Sequence, residues 1–373
     1  MLRLFGRRLI RLVPVLFLVT LGTFFLTALV PGDPAVSILG PEATPEAVAN
    51  LRVELGLDQP LVQRYWDWLS SAFQGDLGNS LLQPTDSVVE LIRASLPVTL
   101  QLAAMGLLMA LFVAIPLAIW SAYRADTHVD RASTLLTAAL ISVPTFLAAL
   151  LLAYFFVFQP DVVRWAAVVL GVSIAGAMVA GGVRRWGDDT NRAVVIRLGG
   201  AAAVLAVTAL VFVWFPEFPR TGFSRLTSED GLGENLRSAF LPAFALALTE
   251  IAVFTRLLRG DMISTLQEDY VLAARAKGMP VWRVLWSDAL RPSSFSLVTL
   301  AGVSLGRLIG GTVIVETIFA LPGMGRLVVN QGVVLGDFTI VQGGVLVIAV
   351  FYVVINLLVD ISYLYLDPRI RRA

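Results

Sequence analysis

Few residues in this chain are equipped for chemistry, and their settings argue against most catalysis. Gly302-Val303-Ser304-Leu305-Gly306 satisfies G-x-S-x-G, the spacing that lifts a serine nucleophile onto a strand-to-helix elbow. Here the motif lies inside a long apolar run that reads as helix. A serine nucleophile also needs a base, and the single histidine, His128, belongs to a distant polar segment. Gly302, Ser304, Gly306, Gly310 and Gly311 suit close helix–helix packing better, so an intramembrane serine hydrolase around Ser304 ranks last among the readings. A phosphate-cradling loop needs Gly-Lys-Ser/Thr, but the only lysine, Lys277, follows Ala276; ATP hydrolysis is not expected of this chain. With no cysteine and one histidine, no disulfide, thiolate or Cys/His metal site is expected either. What remains is Glu250 and Arg307, each near the middle of an apolar run, where one charge costs about 2.5–3.5 kcal/mol to insert.

The elements that must position these residues are membrane helices. Of 373 residues, 57% are apolar and 15% charged, against about 45–50% and about 25% in a soluble domain. A net charge of +1 supplies no basic field, so no nucleic-acid partner is expected. Eight apolar stretches approach the ~20 residues that a helix needs to cross ~30 Å of hydrocarbon: 9–30, 97–121, 133–157, 162–182, 194–214, 238–259, 294–317 and 339–361. The first follows Arg3, Arg7, Arg8 and Arg11 but is too long for a signal peptide and lacks a small-x-small cleavage site, so it reads as a retained span. With the N-terminus inside, Arg124, Arg131, Arg184, Arg185, Arg192, Arg256, Arg259, Arg275, Lys277, Arg283 and Arg369 all fall on inner segments, as cytoplasmic loops require. Both termini are therefore expected in the cytoplasm. In that topology Glu250 and Arg307 lie at similar depths on antiparallel spans, and an ion pair between them is within reach. Glu250 as the proton carrier of a secondary transporter is the alternative.

Three segments lie outside the spans. Residues 31–95 predict two short helices, one beginning at Thr44-Pro45-Glu46 and stopping at Gly56, the other running from Pro60 to Gly75 with Leu61, Tyr65, Leu69 and Phe73 on one face. Residues 215–237 read as an irregular loop. Residues 260–293 carry a short helix opened by Glu268-Asp269 and closed by Arg275, Lys277 and Gly278, charges that complement its dipole. Its alanine face is small enough to enter a groove on another protein. After it, the rows Val281/Leu285/Ala289 and Trp282/Trp286/Leu290 predict an amphipathic segment lying along the bilayer surface.

Asp269-Tyr270-Val271-Leu272-Ala273-Ala274-Arg275-Ala276-Lys277-Gly278 resembles the EAA loop of ATP-binding-cassette importer permeases, in the form used by the dipeptide/oligopeptide/nickel family. Further segments resemble that family in order: Pro31-Gly32-Asp33-Pro34, Leu55-Gly56-Leu57-Asp58, Gly75-Asp76-Leu77-Gly78-Asn79-Ser80, Leu96-Pro97-Val98-Thr99-Leu100, Val129-Asp130-Arg131, Leu241-Pro242-Ala243, Glu316-Thr317-Ile318-Phe319 through Leu321-Pro322-Gly323-Met324-Gly325, and Leu366-Asp367-Pro368-Arg369. The resemblance is to the B-type subunit. It implies an all-α integral membrane protein of the type I importer permease fold, with six core spans. Residues 1–30 would form the N-terminal tail and first span, 31–95 an extracytoplasmic region, and 96–373 the permease domain with the EAA-type loop at 260–293. By resemblance, Asp269, Tyr270, Ala273, Ala274, Arg275, Ala276, Lys277 and Gly278 form a coupling helix that docks on the ATPase. The implied partners are a homologous C-type permease, two ATP-binding-cassette ATPase subunits or domains, an external solute-binding protein, peptide cargo and membrane lipid. ATP and Mg would sit on the partner subunits, with no cofactor on this chain, in the bacterial plasma membrane. The chain departs from the family in the extra hairpin at about 158–214, in Leu272 where the name-giving Glu would stand, and in Glu250 and Arg307, where small or uncharged residues are usual.

Overall fold

The structure, a computed structural model, describes residues 2–29, 34–40, 43–82, 85–184, 191–219, 222–225 and 231–366. Pro31-Gly32-Asp33, the centre of the arginine-rich 184–192 loop and Asp367-Pro368-Arg369 lie outside the described residues. In chain order the helices are α1 (Leu2–Leu29), α2 (Pro34–Leu39), α3 (Pro45–Glu54), α4 (Leu61–Phe73), α5 (Val88–Tyr123), α6 (His128–Ser142), α7 (Thr145–Ala153), α8 (Pro160–Arg184), α9 (Asn191–Val213), α10 (Gly231–Leu266), α11 (Asp269–Ala276), α12 (Val281–Arg283), α13 (Leu290–Ile318), α14 (Met324–Arg326) and α15 (Phe338–Leu366). Wider π-helical turns continue α7 over Tyr154–Phe158, join α12 to α13 over Val284–Ala289 and follow α14 over Leu327–Val334.

Among the described residues, five helices are long and apolar enough to cross a membrane, or six if the bent pair α6 and α7 counts as one span; Val13–Leu29 and Arg197–Val213 are shorter apolar helices. Several expectations need correction. The run at 133–157 is not one straight span: it breaks between Ser142 and Thr145 with a bend of 96°. Pro144 is the cause, because its ring disfavours helical geometry at the preceding residue, and Val143 is extended at φ −87°, ψ 116°. The amphipathic segment after Gly278 is not a separate element. Val281–Ile318 is one continuous apolar helix, whose first turns bury Val284, Leu285 and Ala289 against α10 and leave Trp282 and Trp286 exposed. Helix α10 starts at Gly231, inside the stretch read as a loop, and α5 starts at Val88, inside the segment assigned to the external region.

The centre of the molecule is built from α5, α10 and α13, whose facing positions are small. Ala103, Ala110, Ala114 and Ala118 of α5 meet Ala243, Ala247 and Ile251 of α10 with no exposed surface at any of the alanines, which lets the backbones approach closely. Helix α15 packs against α13 at Gly302, where an added Cβ would fall 2.3 Å from a Val359 methyl. Helix α1 packs on the outside of α15, and Gln342 Nε2 donates to Thr27 Oγ1 at 3.1 Å.

Helices α3 and α4 form as read, with the Thr44 side chain accepting from Ala47 N at 3.3 Å as N-cap. The buried face of α4 differs from the expected row, however. Tyr65 alone is buried, its hydroxyl 3.0 Å from Thr20 Oγ1 and its ring edge-on to Phe17 and Phe24 of α1, while Phe73 points away, 85% exposed. Helices α8 and α9 pair with each other through Trp165–Phe212 contact and a close approach of Gly171 to Thr208. Their union with the remaining bundle runs through Phe156, stacked on Phe215 at 6.0 Å, with the Arg164 guanidinium 5.3 Å above the Phe215 ring.

Candidate functional site

Helix α11 is short, and its sequence says why it starts and stops where it does. Glu268 caps it in extended geometry (φ −69°, ψ 145°), Asp269 lies in its first turn and Arg275 in its last. Gly278 then takes φ +76°, the left-handed turn that lets Gly278 N donate to Arg275 O at 2.9 Å and Met279 N to Ala274 O at 3.3 Å. Only Val271 anchors the helix in the core, beside Met262, Leu266 and Val284. Tyr270 adds a hydroxyl hydrogen bond to Asp288 O at 3.1 Å. Partial burial, then the carboxylates of Glu268 and Asp288, pushes the Tyr270 phenol above its ordinary range, so it stays a neutral donor. Leu272, Ala273, Arg275, Ala276 and Lys277 all face outward. The result is a stub of about two turns, held at its root, with a small apolar surface free for contact.

At mid-span, Arg307 Nη2 donates to Glu250 Oε1 at 2.7 Å and to Ser304 Oγ at 3.2 Å. The pair is lopsided: the Glu250 side chain is 4% exposed, that of Arg307 60%. Glu250 Oε2 is buried without a hydrogen-bond partner. Ser304 is fully buried in the middle of α13, with no strand-to-turn elbow to present it, and its hydroxyl accepts from a guanidinium instead of giving its proton to a base.

Three further carboxylates, none singled out in the sequence for its chemistry, hold the molecule's ends together. Glu316, fully buried, accepts from Thr99 Oγ1 at 2.6 Å through one oxygen and from Gly325 N and Arg326 N at 2.7 and 3.1 Å through the other. Thr99 Oγ1 in turn accepts from Met324 N at 2.8 Å. Gly323 is glycine because an added Cβ would lie 2.3–2.5 Å from the Glu316 carboxylate. Asp337 accepts from Ser80 Oγ at 2.7 Å and Leu81 N at 2.8 Å. At the opposite end of α5, Asp130 accepts from Ser121 Oγ at 2.7 Å and takes both Nε and Nη2 of Arg259 at 2.5 and 2.6 Å, the fork geometry that makes arginine–carboxylate pairs strong. The signal for Glu316, Ser80, Thr99 and Asp130 was their place inside the recurring segments. Nothing in the sequence paired one segment with another. Arg259 and Asp337 lay outside those segments altogether.

With this geometry in place, comparison with known proteins identifies the class. The model of the binding-protein-dependent transport system inner membrane component matches residues 114–372, and that of the same system's N-terminal membrane component matches residues 1–103. The chain belongs to this family and has its type I importer permease fold: it is a multi-pass membrane protein and a transport component. Among its relatives, a putative peptide transport system permease protein of Brucella abortus (strain 2308) is 35% identical over 365 residues, 98% of each chain. The dipeptide transport system permease protein of Alkalihalophilus pseudofirmus is 30% identical over 365 residues, also 98% of each. A probable D,D-dipeptide transport system permease protein of Escherichia coli (strain K12) is 34% identical over 356 residues, 94% of this chain and 92% of that one.

Proposed function

We propose that this chain is the membrane-spanning B-type permease subunit of an ATP-driven peptide importer. The observation that carries the reading is end-to-end similarity to proteins named as peptide and dipeptide permeases. The substrate is a short peptide, delivered on the outer side by a solute-binding protein. Two ATP-binding-cassette ATPase subunits or domains bind the ATP and Mg, and a homologous C-type permease completes the channel. The assembly resides in the bacterial plasma membrane with both termini of this chain in the cytoplasm, which places α11 on the cytoplasmic side and residues 31–95 outside, as the distribution of arginine supports.

In this reading α11 is the coupling element. Its exposed face, Leu272, Ala273 and Ala276, seats in a groove of the ATPase. Closure of that partner on ATP displaces α11, and the displacement passes through Val271 into the α10 and α13 ends packed around it. A helix pair with two packings then opens the path outward, and hydrolysis returns it inward. The carboxylate-held ends of α5, α13 and α15 transmit the motion as rigid pieces.

Ala273→Glu tests the coupling role, because an exposed alanine accepts the charge without disturbing the core. In proteoliposomes containing the full transporter and its binding protein, ATP-dependent peptide uptake should fall by more than about tenfold, with the chain still inserted and assembled with its permease partner. Undiminished uptake would remove α11 from the coupling role.

A further inference from the structure

The Glu250–Arg307 pair does more than neutralise itself. Both of its bonds to the protein use Nη2 of Arg307, on Glu250 Oε1 and Ser304 Oγ. The Nε and Nη1 donors have no protein hydrogen-bond partner among the described residues. They point from the exposed face of α13, along which Val303, Gly310, Gly311 and Ile314 are also exposed. On that face Gly310 and Gly311 have open space: apart from the helix's own backbone and their chain neighbours, no heavy atom lies within 4 Å of where their Cβ atoms would stand.

Hydrocarbon cannot satisfy three N–H groups of a charged guanidinium at mid-span depth. The acid is sealed in and the base faces out, so the Nε–H and Nη1–H groups require water or an anion. An arginine clamped from behind through Nη2 has lost its rotamer freedom in advance, and its Nε–H and Nη1–H groups, on separate edges of the guanidinium, can each give a carboxylate a single charge-assisted hydrogen bond. An unmodified linear peptide carries one such group at its C-terminus.

Resting on the reading of this chain as a peptide permease, we propose that Arg307, oriented by Glu250 and Ser304, is a binding site on the translocation path for a carboxylate of the passing peptide.

The test uses the complete transporter with its binding protein in proteoliposomes, with trialanine and trialanine amide as probes, compared at equal occupancy of the binding protein. The wild type should import the free acid in preference to the amide. In Glu250→Gln/Arg307→Gln, which leaves no charge unpaired in the bundle, the acid-to-amide uptake ratio should fall on the order of tenfold, the value of one charge-assisted hydrogen bond. Arg307→Lys should keep part of the preference. An amidated Ala-Glu-Ala separates the sources: Arg307-dependent preference for it assigns the site to any peptide carboxylate, and its absence assigns the site to the C-terminal one. A wild type indifferent to amidation, or a neutral double variant with an unaltered ratio, overturns the proposal; the second result is also what a fixed acid on the partner permease facing Arg307 would give. Failure of the wild type to import either probe instead defeats the peptide-import reading itself.

Discussion

The residues that organise this protein are buried acids, each used to make two distant backbone segments one object. Glu316 satisfies two backbone N–H groups and the Thr99 hydroxyl. Glu316→Ala removes all three bonds at once, and at about 1–3 kcal/mol for a buried polar group left unpaired, a loss of roughly 2–4 kcal/mol is expected, read as earlier thermal loss of monodisperse protein in detergent. Gly323→Ala should be as damaging, although its φ of −100° suits any residue, because its Cβ would occupy the carboxylate's space. What was legible in the sequence divides along physical lines. Glu250 and Arg307 stood out because a charge amid apolar residues is conspicuous, and the structure brings them to 2.7 Å. Glu316 and Asp337, near helix ends, are not conspicuous in that way. Their burial is produced by segments 217 and 257 residues away, and no local pattern encodes that.

Helices and their joints set the second scale. Hydrophobic runs located nearly every long helix, since length and apolarity are local properties; joints depend on what packs beside them. Pro144 marked a break that the apolar run concealed, and the Trp282/Trp286 row suggested a surface helix when its opposite row was core. The α6 start is fastened to α10 by Asp130 and Arg259. Asp130→Ala and Arg259→Ala should each destabilise, while the double variant should cost less than their sum by about 1–3 kcal/mol, because either single change strands a charge. A thermal double-mutant cycle on the purified chain measures that coupling. At Gly278, φ is +76°, so Gly278→Val should unwind the end of α11 at a cost of about 1–2 kcal/mol and lower ATP-dependent peptide uptake.

At the scale of the whole molecule, the α8–α9 hairpin stands apart. It pairs with itself, and its flanks already meet at Phe156 and Phe215. Excising residues 160–213 and joining the flanks with a short glycine linker removes two helices, so the orientation of everything downstream is preserved. The excised chain should insert and assemble, with a thermal midpoint lowered by only a few degrees; aggregation on expression would show that the hairpin is part of the core.

Asp337 has a consequence for how the protein is made. Its bonds to Ser80 and Leu81 span 257 and 256 residues, and that of Gln342 to Thr27 spans 315. A ribosome delivers the two sides of these clasps at opposite ends of its run. The loop ahead of α5 therefore waits, ajar, until the last helix arrives. A nascent chain stalled before Phe338 should be nicked between Gly78 and Ser87 by an added protease, and release of the finished chain should end that vulnerability.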